Sequence, residues 1–70
     1  MTLRYFLMNV ADIGSLVLFH DNGWQIGCTM VDNEYWFINS LNQELLDQDV
    51  MSWYYADRDW TNNTVIVVEL

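Results

Sequence analysis

Lysine and proline are absent from this 70-residue chain, histidine and cysteine occur once each, and glycine only three times. Each scarcity removes a class of explanation. With Cys28 alone, no intrachain disulfide can form, and Cys28 with His20 does not make a zinc site, which takes four ligands. Gly14, Gly23 and Gly27 are isolated and make no phosphate-cradling loop. No run approaches the roughly 18 apolar residues needed to span a membrane. The opening Met1 to Met8 is apolar but short, and it lacks a small-residue cleavage site, so the expected location is a reducing cytoplasm.

Catalytic chemistry is equally thin. A reacting group needs a partner that activates it. His20, the sole imidazole, precedes a turn at a strand end, and Ser15, Ser40 and Ser52 have no activating neighbours. Composition alone leaves a carboxylate acid–base pair open, but the expectation is a non-enzymatic protein without cofactor or metal. The pairs Asp47/Asp49 and Asp57/Asp59 lack the ligand count and the glycine of a calcium loop, and read as solvated turns. Asn62-Asn63-Thr64 matches a glycosylation acceptor and reads more simply as a turn.

What is abundant is acid and aromatic surface. Ten carboxylates face Arg4 and Arg58, a net charge of −8. Such a chain repels phosphate backbones, so direct nucleic-acid binding is not expected, and partners with basic surfaces are favoured. One domain is all that this length allows, residues 1–70. A chain so short buries only about 60% of its unfolded surface, so association, including a homodimer, is the open route to added stability.

The apolar rhythm is mostly period two. Residues 24–31 alternate Trp24, Ile26, Cys28 and Met30 against Gln25, Gly27, Thr29 and Val31, a half-buried strand with Cys28 as a small core hydrophobe. Leu16-Val17-Leu18-Phe19 is apolar on both faces, as a central strand is, and Asn22-Gly23 between the two suits a tight hairpin. A turn at Asp32-Asn33 leads to the strand-like Tyr35-Trp36-Phe37-Ile38. Ser40 and Gln43 have capping-box spacing ahead of a short helical turn at 41–47. Residues 50–55 and 65–70 read as strands, residues 59–63 as a loop, and Leu3 to Met8 as one further strand. The expected fold is mainly β: five to six short antiparallel strands in a meander or small barrel with one helical turn. The alternative is an α+β domain with a longer helix over one sheet face.

In a meander the turns alternate between the two ends of the sheet. Asp21 then shares one end with Glu44, Asp47 and Asp49, and Asp12, Asp32, Glu34, Asp57 and Asp59 share the other. These two acidic poles are either solvated turns or binding ends. Four tryptophans, four tyrosines and three phenylalanines lie between them. Consecutive strand residues point to opposite faces, so Tyr54 and Tyr55 cannot both enter one core, and neither can Tyr35 and Trp36. Some rings therefore lie flat on their own sheet or meet another molecule. The expected partner-binding face is Trp36, Tyr54, Asp57, Asp59 and Trp60. Sugar stacking is a competing use, with Asn33, Asn39 and Asn62 available for hydroxyls.

Val17-Leu18-Phe19-His20-Asp21-Asn22-Gly23, then Gly27, Trp36 and Val50-Met51-Ser52-Trp53, resemble a family of small phage and prophage proteins known only as a domain of unknown function. The resemblance spans about residues 8–56. It departs at Met8-Asn9-Val10, where the family has Trp-Ile-Ser-Val, and at Tyr54-Tyr55-Ala56, which replaces a proline-rich ending. It implies a viral protein in the host-cell cytoplasm, of the kind that binds and inhibits a host defence protein such as a nuclease or a CRISPR component (an anti-CRISPR). Ten carboxylates are few for a mimic of DNA, so an ordinary protein interface leads. The alternative is a structural or assembly subunit whose aromatic face is buried in an oligomer.

Overall fold

A computed structural model describes residues 1–56 and 63–70. The chain begins with a helix, α1 (Leu3–Asn9). Leu3, Phe6 and Leu7 are fully buried on one side of it, the three- and four-residue spacing of a helical stripe. The Thr2 hydroxyl accepts from the Tyr5 amide at 3.1 Å and caps its first turn. The strand expected over Leu3 to Met8 is therefore corrected. An apolar run of six residues fits either period, and the cap ahead of it selects the helix.

Strands β1 (Leu16–Asp21) and β2 (Trp24–Met30) form the expected antiparallel hairpin. Asn22 and Gly23 turn it with φ of 52° and 80°, both in the left-handed region that Asn and Gly tolerate. The register slips between Phe19 and His20, leaving Ile26 as an extra residue in β2, a bulge.

After β2 the aromatic run 35–38 turns instead of extending. The Asp32 carboxylate accepts from the Glu34 and Tyr35 amides, both at 2.9 Å. That turn holds Tyr35 at φ 60° and starts α2 (Phe37–Ser40) at Trp36. The expected strand is absent there because a side-chain cap outbids a weak β preference. Next comes α3 (Gln43–Leu46), inside the helical turn expected at 41–47. Its cap is Asn42, whose side chain accepts from the Glu44 and Leu45 amides at 2.7 and 3.3 Å. Ser40, the residue expected to cap, instead donates its hydroxyl to the Phe37 carbonyl.

Strands β3 (Ser52–Ala56) and β4 (Val65–Glu69) complete one four-stranded sheet of order β2-β1-β4-β3. β4 runs parallel to β1 and antiparallel to β3. Among the described residues the sheet is mixed and open, with four strands where five to six were expected, and the parallel β1–β4 pair corrects the antiparallel meander or barrel. The reason lies in β4. Its Val65, Ile66, Val67 and Val68 are all buried, and a strand apolar on both faces gains most between two others. A place at the end of a meander would leave one of its sides unpaired. The result is strand-rich with a thin layer of short helices, close to the α+β alternative.

The core lies between sheet and helices. Val17, Phe19, Ile66 and Val68 point one way by register and pack with Leu3, Phe6, Leu7, Val31, Phe37 and Leu46. Burying a ring such as Phe6 contributes roughly 2–3 kcal/mol of transfer free energy. Trp53 meets Phe6 edge-on, with ring centroids 5.2 Å apart. Gly27 gives Phe19 room, since a Cβ there would sit 3.3 Å from the ring. The helices are strapped down at one end. The Leu3 amide donates to the Gln48 carbonyl, the Val50 amide donates to the Met1 carbonyl, and Arg4 donates to Gln43 and Asp47.

Candidate functional site: the open face of the sheet

The other face of the same sheet has no described helix over it. By register it presents Leu16, Leu18 and His20 from β1, Val65, Val67 and Glu69 from β4, Ser52, Tyr54 and Ala56 from β3, and Cys28 and Met30 from β2. Val65 and Val67 in the middle are buried, Leu16 and Leu18 are half-buried, and Cys28, Met30 and Tyr54 are exposed. Cys28 is thus a surface residue rather than the core hydrophobe expected for it. The patch is apolar at its centre. Glu69 is its only carboxylate within the strands, and it lies 3.8 Å from His20 Nδ1.

Acid collects beyond the two ends. Asp21 closes β1, and Asp49 precedes β3 and bridges to Thr2, at the end where β4 finishes. Asp12 and Asp32 lie at the opposite end, where Gly14 and Ser15 pair with Val31. The crossover through α2 and α3 carries the chain from the Asp32 end to the Asp49 end, while Asp57 and Asp59, expected beside Asp12 and Asp32, lie outside the described residues. Glu44 and Asp47 sit on or beside α3, and Asp47 pairs with Arg4 at 3.3 Å.

The five residues singled out in the sequence do not form one described patch. Tyr54, 50% exposed, projects from the open face. Trp36, 72% exposed, heads α2, which packs into the core on the opposite side through Phe37. Asp57, Asp59 and Trp60 lie outside the described residues. Tyr55, as its alternation with Tyr54 requires, belongs to the helix side. Its hydroxyl donates to Asp12 Oδ2 at 3.0 Å and its ring meets Trp53 edge-on. That hydrogen bond, followed by partial desolvation and the nearby charge, raises the Tyr55 phenol above its ordinary pKa.

Sequence reasoning missed Leu16, Leu18 and Met30 as candidates on this face. The signal was present in β1 and β4, which are apolar on both faces, against helices with apolar residues enough to cover only one. Trp24 and Ile26 were placed on a rich face of their strand, and both are exposed, Trp24 by 78%. No cavity and no cluster of potential metal ligands occurs among the described residues, and none of their helices is long and apolar enough to cross a membrane. Comparisons with family models, with curated proteins and with solved structures found no match.

Proposed function

We propose that this chain is a non-enzymatic binding protein whose open sheet face docks on another protein. The observation that carries the reading is an apolar face that no described element covers, with Tyr54, Met30 and Cys28 exposed around a buried Val65–Val67 centre. An apolar centre with a charged periphery is the anatomy of a specific protein interface. Tyrosine and methionine are among the residues enriched there, and contiguous apolar surface of this kind marks interaction sites. Because the periphery is acidic, the partner is a protein with a basic surface, met through electrostatic steering.

The phage resemblance supplies the setting for this reading. The chain would act in a host cytoplasm as an inhibitor of a defence nuclease or CRISPR component. The competing occupant of the same face is a second copy of the chain, as in a homodimer or assembly subunit. The carboxylates at both ends disfavour it, because two copies would bring like charges together.

The test is a capture from host lysate with the native chain and with Leu18→Asp as baits, alongside light scattering of each. A single partner retained by the native chain and lost with the variant, from a bait that stays monomeric, supports the reading. A stable dimer abolished by Leu18→Asp gives the face to a second copy. Equal capture by both baits removes the face from the interface.

A further inference from the structure

The two edges of the sheet differ. β2, at one edge, carries the Ile26 bulge, which twists an edge away from regular pairing. β3, at the other, is regular from Ser52 to Ala56. Its sequence Ser-Trp-Tyr-Tyr-Ala holds no charge and no proline, the usual means by which a natural edge blocks a foreign strand. No other described strand pairs with Ser52 to Ala56 on that side, and Met1 to Leu3 pair with Gln48 to Val50 just ahead of it. The outward amides and carbonyls of β3 therefore form a ready template for one more strand.

Charge at the two ends of this edge selects the occupant. Asp49 stands just ahead of the strand, bridged to Thr2, and the Tyr55 hydroxyl near the other end holds the Asp12 carboxylate on the helix side of the sheet. A second copy pairing antiparallel through Tyr54 would direct Asp49 of one chain toward the Asp12 end of the other, so acid would meet acid. A strand with lysine or arginine at both ends would instead be paired at both. We infer that β3 accepts an extended segment of a basic partner protein as a fifth strand, running beside the open face. This rests on the reading of the chain as a protein-binding module, and names the partner's chemistry and its mode of attachment.

The probe is a synthetic peptide with a Thr–Val alternating core and lysine at both ends. It is compared with the same core ended by glutamate, and with a version N-methylated at alternate residues that has lost half its backbone donors. Amide hydrogen exchange is followed on the native chain. With the lysine peptide at ten times its Kd, the β3 amides that face away from β4 should exchange about tenfold more slowly, with β2 unchanged. The glutamate-ended and N-methylated peptides should each bind at least about tenfold more weakly, a loss of about 1.4 kcal/mol. Asp49→Asn should weaken only the lysine peptide. Equal binding by the N-methylated peptide, protection at β2 instead of β3, or no protection anywhere overturns the inference. So does protection of β3 that rises with protein concentration in the absence of peptide, which would assign the edge to a second copy. If these fail while Leu18→Asp still abolishes capture of a host partner, the open face stands as a binding site and strand addition alone is lost.

Discussion

The two faces of one sheet are built from the same residue types and differ in what lies over them. Val17, Phe19, Ile66 and Val68 are sealed by α1 and the short helices, whereas Leu16, Leu18, Val65 and Val67 on the same two strands have no described element above them. Adjacent residues of β3 make the contrast smallest. Tyr55 is tied to Asp12 and Trp53 on the covered side, and Tyr54 next to it projects from the open one. Under the helices Val17 and Phe19 are fully buried, whereas Leu16 and Leu18 beside them are only half-buried; at the centre of the sheet Val65 and Val67 are buried without a described element above them. An apolar face without a described cover is a cost in solubility that a binding role would explain.

The contrast can be broken most directly at the covered face. Phe19→Ala or Phe6→Ala should cost about 3–5 kcal/mol, enough to unfold much of a chain this small, as read by urea titration. The cover itself should be more tolerant. Asn42→Ala removes the α3 cap and should cost about 1 kcal/mol, with faster amide exchange confined to the crossover. On the open face Met30→Ser should change stability by less than about 1 kcal/mol, because the residue is already 44% exposed. A loss comparable to that of Phe19→Ala would mean that the face is buried in solution, and would remove the asymmetry altogether.

The smallest effect concerns pH. The folded chain holds the Tyr55 phenol above its ordinary pKa, so its contribution is fully present below about pH 10. That contribution declines as pH rises through the raised value, since the unfolded chain then loses its proton first. Tyr55→Phe should flatten the stability profile above about pH 10, whereas Tyr54→Phe should leave it unchanged.

Which features could be read from the sequence follows from how local their causes are. Asn22-Gly23 needs only its own backbone preference to turn a hairpin, and alternation alone separates Tyr54 from Tyr55. The α3 segment was legible to within a residue or two, although its cap proved to be Asn42 and not Ser40. The parallel pairing of Leu16 with Val65 was not legible, because no local pattern distinguishes a strand that returns to the centre from one that ends a meander. The open face was missed for the same reason: whether Leu18 is core or surface depends on where α1 lies. α1 was itself misread, its stripe of Leu3, Phe6 and Leu7 being hidden among the apolar residues around it.

The position of β4 also governs the order in which this protein can come into being. Of the described elements, β4 is made after the other three strands, yet it takes one of the two inner places in the sheet. Until Val65 to Glu69 emerge, the nascent chain has a hairpin and a lone strand with nothing to join them, and its apolar surfaces stay exposed. Closure then requires residues 16–20 to meet residues 65–69, a long-range pairing that favours slow, concerted formation over stepwise growth. A stop codon or protease cut shortly before Val65 would therefore remove the keystone and not merely a fringe, and should yield a chain that aggregates instead of a shortened domain.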